Sequence, residues 1–79
     1  MMSLSPNPAT DLLKIELNEE PSEEAIVNIH NSQSIKMMST TLSKKEKEKT
    51  IDISALKAGT YYVSVAVKDK IITGSFIKK

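Results

Sequence analysis

Gly59-Thr60-Tyr61-Tyr62-Val63-Ser64-Val65-Ala66-Val67 is the stretch that decides the fold. Tyr61, Val63, Val65 and Val67 share one face; Tyr62, Ser64, Ala66 and Lys68 share the other. Successive side chains of a strand point to opposite faces, so this period of two predicts a half-buried strand and not a helix. β-branched and aromatic residues suit such a pleated surface. Gly59 stands where a chain turning into a strand often needs a positive φ. The remaining segments are read as pairing with this central strand or packing against it.

The chain has 79 residues, enough for one domain and one small core. A core of that size supplies only about 3–5 kcal/mol. There is no cysteine, so neither a disulfide nor a thiolate chemistry is available. A formal charge of +1 hides an asymmetry: residues 1–24 hold six acids and one Lys, and the rest hold ten Lys and four acids. Every cation is Lys, with no Arg. Nucleic-acid readers lean on Arg for bidentate base contacts and on aromatic platforms for single strands, so nucleic acid is not expected as a partner. No apolar run has the length of a bilayer-spanning helix, and no signal peptide is visible. The chain therefore reads as the tail of a longer protein, or as one whose export signal has been removed.

Short alternating runs recur on both sides of the central strand. Ser3-Leu4-Ser5 reads as an edge strand, with residues 1–4 as an N-terminal edge or expression remnant. Pro6-Asn7-Pro8-Ala9-Thr10-Asp11 is a rigid corner, because each Pro fixes its own φ and keeps the residue before it extended. Leu13, Ile15 and Leu17 point inward from the next strand, and Val27 and Ile29 from the third. Ile35, Met37, Met38 and Leu42 mark a weaker fourth strand. Residues 43–49, rich in Lys and Glu, are expected to form a hairpin tip. Ile51 and Ile53 alternate in a fifth, and Leu56 is placed as a plug at the end of the core. Lys68-Asp69-Lys70 turns the chain into a last strand with Ile72 and Phe76 inward. Gly74 within it predicts a bulge or a close backbone approach. Seven short strands with no helical period predict a small all-β, antiparallel, immunoglobulin-like β-sandwich. It lacks the Cys…Trp…Cys pattern of true immunoglobulin domains.

No enzyme is expected. His30 is the one histidine and has no partner acid at ligand or triad spacing, and no G-x-S-x-G elbow exists. The Glu19–Glu24 cluster lacks the Asp/Asn/Gly spacing of a calcium loop, so no metal is assigned. Two glycines cannot build a phosphate loop. Tyr62 is read as a cross-strand packing residue and not as a sugar platform. No cofactor and no small-molecule substrate follow from these residues.

Three stretches in order are similar to a known family. Pro6-Asn7-Pro8-Ala9-Thr10-Asp11 with Leu13 and Ile15 resembles an opening "PNPATD-x-L-x-I" signature. Residues 51–65 resemble "I-D-L-S-x-L-x-x-G-x-Y-x-V-x-V", and Phe76-Ile77-Lys78 resembles a closing "K-F-[VI]-K", with Ser75 at the first Lys. Together, over residues 5–79, they resemble the C-terminal sorting domain of the type IX (Por) secretion system of Bacteroidetes. Two positions depart from it. Ser5 replaces the usual aromatic, and the turn from Asn31 lacks its usual Gly.

The resemblance implies a seven-stranded sandwich that labels an exported protein. Its partners would be the outer-membrane type IX translocon and a C-terminal signal peptidase. The route would cross the periplasm and end at the cell surface or in the medium. The implied sorting residues are Pro6, Asn7, Pro8, Asp11, Gly59, Tyr61, Val63, Phe76, Ile77 and Lys78. The final strand would offer an edge for strand addition, either to that machinery or to a second copy as an edge-strand dimer. The alternative function is a stand-alone secreted immunoglobulin-like interaction or adhesion domain.

Overall fold

The computed structural model describes residues 2–6, 8–68 and 70–79; the expectations for Met1, Asn7 and Asp69 lie outside the described residues. Seven strands follow one another: β1 (Met2–Ser5), β2 (Leu12–Leu17), β3 (Ala25–Asn31), β4 (Lys36–Leu42), β5 (Glu48–Asp52), β6 (Gly59–Val67) and β7 (Lys70–Lys78). They form two sheets, β1-β2-β5 and β4-β3-β6-β7, and every strand pair is antiparallel. β1, β2 and β5 stand where strands A, B and E of an immunoglobulin domain stand, and β3, β6 and β7 where C, F and G stand. β4 has left the E side and lies beside β3. The sandwich is an immunoglobulin-like one with a switched fourth strand.

The predicted inward sets meet between the sheets. Leu13, Ile15, Leu17 and Ile51 from one sheet face Ala25, Val27, Ile29, Tyr61, Val63, Val65 and Phe76 from the other, all buried. Ile53 and Leu56 close one end, the turn between them held by the Leu56 N–H donating to the Ile53 carbonyl at 3.0 Å. Val67 and Ile72 pack against the core while staying partly exposed. Gly74 lies where β1 crosses: a Cβ there would sit 3.1 Å from Met2 Cε and 3.2 Å from Leu4 Cδ1. The expected bulge or close backbone approach is replaced by a close approach of two side chains, those of Met2 and Leu4, and the strand runs without a bulge in continuous register with β6.

Two expectations are corrected. Ile35 and Met37 point to solvent, 54% and 44% exposed, and only Met38 and Leu42 of that set face the core. The register of β4 on β3 slips between Ile29 and His30, which pair with Met38 and Lys36. Met37 is the extra residue, left unpaired at the bulge, and Ile35 lies ahead of β4 in the turn from Asn31, its N–H on the Asn31 side-chain oxygen at 3.0 Å. Residues 43–47 do not form a hairpin tip, because β4 and β5 belong to different sheets. They cross from one sheet to the other. The Lys45 N–H meets the Pro21 carbonyl at 3.2 Å, which brings this Lys-rich crossing against the acidic crossing at 18–24.

Candidate functional site

The corner at residues 6–11 connects two strands of the smaller sheet, yet it docks on the larger one. The Ala9 N–H donates to the Ile77 carbonyl at 2.7 Å, and the Lys79 N–H donates to the Ala9 carbonyl at 2.8 Å. These two bonds make a parallel bridge between Ala9 and Lys78 on the outer edge of β7. Pro6 and Pro8 on either side are exposed, and the Ser5–Pro6 peptide is cis. Ala9 is fully buried. A larger side chain there would hold the corner off β7, so the small residue is what permits the contact. The Asp11 carbonyl accepts from the Ile53 N–H at 2.8 Å, which ties the far side of the corner to the end of β5. Its carboxylate faces solvent.

The glycine-tyrosine pair at the start of β6 reaches the same end. Gly59 has φ 155°, a conformation that L side chains rarely adopt, and it pairs with Lys78. Tyr61 is buried and pairs with Phe76; the two rings stack with centroids 5.6 Å apart and planes 20° from parallel. The Tyr61 hydroxyl donates to the Lys57 carbonyl at 2.7 Å. A tyrosine near the start of strand F that bonds back to the backbone just upstream is the tyrosine corner of immunoglobulin-like sandwiches. Val63 lies one turn of the pleat deeper and belongs wholly to the core.

The sorting residues named from the sequence thus divide by role. Gly59, Tyr61, Val63 and Phe76 build the end of the sandwich. Pro6, Pro8, Asp11 and Ile77, the last 50% exposed, are displayed on it. Lys78 points inward and is 8% exposed, with its Nζ at 3.2 Å from the Lys79 carbonyl oxygen. Sequence reasoning passed over Ala9, which joins the two halves. Its signal was present: it is the one small apolar residue in a corner otherwise made of prolines and polar groups.

Elsewhere, Asp52 accepts the Ser54 hydroxyl at 2.7 Å and the Ser54 N–H at 2.9 Å, and these bonds hold its carboxyl below the ordinary range. An open groove of about 580 Å³ crosses the outer face of the larger sheet, with His30, Asn31, Tyr62, Ser64, Thr73 and Ser75 along it. His30 and Tyr62 are direct cross-strand partners. Among the described residues no three His, Cys, Asp or Glu side chains are grouped to hold a metal ion.

The model of the secretion system C-terminal sorting domain matches residues 3–79. The chain belongs to that family. It is a C-terminal sorting signal for type IX secretion, directing export to the cell surface or the medium and implying contact with the secretion machinery. The family is one of sorting signals and is not known for catalysis. No curated protein matches the chain. Among solved structures, CopC from Methylosinus trichosporium OB3b is similar at 20% identity and a TM-score of 0.55, over 99% of this chain and 91% of that one. That likeness is one of fold, a β-sandwich.

Proposed function

We propose that the sorting signal is read at a composite tip, made by the corner at residues 6–11 and the end of β7, and that this tip is the part gripped by the outer-membrane type IX translocon. The observation that carries this is the bridge between Ala9 and Lys78. It joins the first and last motifs of the family, far apart in sequence, into one surface. Gly59, Tyr61, Val63 and Phe76 act by shaping that surface. Pro6, Asn7, Pro8, Asp11, Ile77 and Lys78 act by contact or by fixing its outline. The domain performs no chemistry of its own.

The direction of β1 supports the reading. Met2 pairs with Leu17, at the end of the sandwich opposite the tip. A polypeptide joined ahead of Met2 would leave from there, so the tip stays clear of it. In this account the folded domain crosses the periplasm with its cargo, engages the translocon, and is then accessible to a C-terminal signal peptidase.

The test is a fusion of residues 5–79 to a periplasmic reporter in a type IX-competent host. Deleting residues 76–79 removes Phe76 from the core, so its effect mixes folding with recognition. Ile77→Asp changes only an exposed side chain. The expected result is loss of export with an unchanged thermal melt of the purified domain. Undiminished export of the Ile77→Asp and Asp11→Arg fusions would overturn the composite-tip reading.

A further inference from the structure

A sandwich with open sheets has four strand edges, and unpaired edges invite association, so proteins blunt them. Three of the four are blunted here. β1 is four residues long and runs into Pro6. β5 is five residues long and carries Glu48, Lys49 and Asp52. β4 is bulged opposite Ile29 and His30, and Lys49 Nζ caps its Thr41 carbonyl at 2.8 Å. β7 is different. It has nine residues, pairs with β6 without interruption, and among the described residues is bridged on its outer edge by Ala9 at its tip.

The bridge to Ala9 also shows which groups face outward. The Ile77 carbonyl and the Lys79 N–H point to Ala9, so by alternation the backbone groups of Ile71, Thr73 and Ser75 point out along the same edge. No described strand pairs with them. Exposed lysines flank this open span, Lys68 and Lys70 on one side, with Asp69 between them in the sequence, and Lys79 on the other. A second copy is a poor occupant. A two-fold pairing through Thr73 would set the lysines at one end of the strand against those at the other, and like charges facing across a ladder repel. It would also run into the corner seated at residues 77–79.

We propose that the edge of β7 at Ile71, Thr73 and Ser75 accepts, by strand addition, an extended segment of another protein that carries carboxylates at its ends. Backbone hydrogen bonds supply the attachment and the flanking lysines select the charge. This deepens the sorting reading and rests on it for where the partner belongs.

The experiment uses the purified domain and a short synthetic peptide of alternating valine and threonine with glutamates at both ends. Amide hydrogen exchange is followed residue by residue. The expected result is slowed exchange at Ile71, Thr73 and Ser75, lost when lysines replace the glutamates. Thr73→Pro removes one outward donor without touching the bonds to β6, so it should abolish the protection while exchange in β3 stays slow. No protection by the glutamate peptide, or equal protection by the lysine peptide, overturns the proposal. So does protection that rises with protein concentration alone, which would signal a dimer. If Thr73→Pro fails to fold, the two peptides still decide. The outcome is separable from the sorting reading: fusions exported without peptide protection defeat only the edge, and protection without export defeats only the composite tip.

Discussion

The two ends of the sandwich are joined differently and make opposite demands on side chains: two crossings between the sheets meet at one, and a corner within the smaller sheet docks on the larger sheet at the other. At one end the crossings at 18–24 and 43–47 meet through backbone groups, Lys45 to Pro21 at 3.2 Å and Leu17 to Lys47 at 2.8 Å. Most of their charged side chains go to water, the exception being Glu46, whose carboxylate accepts the Ser43 N–H at 2.8 Å within its own crossing. At the other end, contact also depends on what each side chain is: Ala9 bonds through its backbone but is buried where only a small side chain fits, and a phenol at Tyr61, a ring at Phe76 and no side chain at Gly59 complete the packing. Backbone contacts tolerate almost any polar residue, whereas side-chain contacts do not. All three family motifs accordingly reach the second end, and none reaches the first.

The sharpest way to break this contrast is Phe76→Ala. Removing a fully buried ring costs about 3–5 kcal/mol. That matches the whole stability of about 3–5 kcal/mol available to so small a core. The variant is expected to be largely unfolded by circular dichroism at room temperature. A folded variant with a urea midpoint near that of the parent would show that the stacked pair does not hold this end. Next is Tyr61→Phe, which keeps the ring and leaves the Lys57 carbonyl without its donor. The expected loss is about 1 kcal/mol by urea unfolding. The two residues touch, so a double-mutant cycle should be non-additive.

Much of the sandwich was legible because burial writes itself into alternation. Leu13/Ile15/Leu17, Val27/Ile29 and Tyr61/Val63/Val65 were placed inward from period alone, and all are buried. Alternation reports a face and not a neighbour. It therefore could not show that residues 43–47 cross between sheets, since a crossing and a hairpin share the same polar composition. It failed at Ile35, which lies in the turn ahead of β4 and not in the strand, and at Met37, the unpaired residue of the bulge. Of the candidate site, the motifs themselves were readable. Their convergence through Ala9 was not: a lone small apolar residue in the corner hints at a close contact, but two backbone hydrogen bonds do not name their partner in the side-chain pattern.

Smaller effects sharpen the comparison. Ser34 holds φ 65° in the turn whose Gly is missing, while the Asn31 carboxamide oxygen accepts from Gln33 N at 2.8 Å and Ile35 N at 3.0 Å. Left-handed backbone costs a non-glycine residue about 1–2 kcal/mol, partly offset by the greater unfolded freedom of glycine. Ser34→Gly should therefore raise the urea midpoint, by about 0.5–1 kcal/mol of stability. At the charged end, Lys44→Ala and Glu20→Ala should each change stability by less than about 0.5 kcal/mol. A larger change at either position would mean that the charged crossings are held by side chains after all.

The last test concerns acid. Asp52 lies at the motif end, and its carboxyl is held below the ordinary range first by the Ser54 hydroxyl and then by the Ser54 N–H. A depressed folded-state pKa means that the folded protein binds this proton less readily than the unfolded chain does. The contribution is complete above the unfolded value, near pH 3.9, and is lost as pH falls through the lower folded value. Because the group is fully exposed, the effect belongs to the turn that starts at Asp52 and not to the core. Following the Asp52 carboxyl carbon by NMR should give a midpoint below that of a free aspartate, and Ser54→Ala should move it upward. Ser54→Ala removes the hydroxyl and keeps the amide: a midpoint that rises only part of the way leaves the remainder to the Ser54 N–H, whereas a full return to the free value would show that the backbone bond adds nothing.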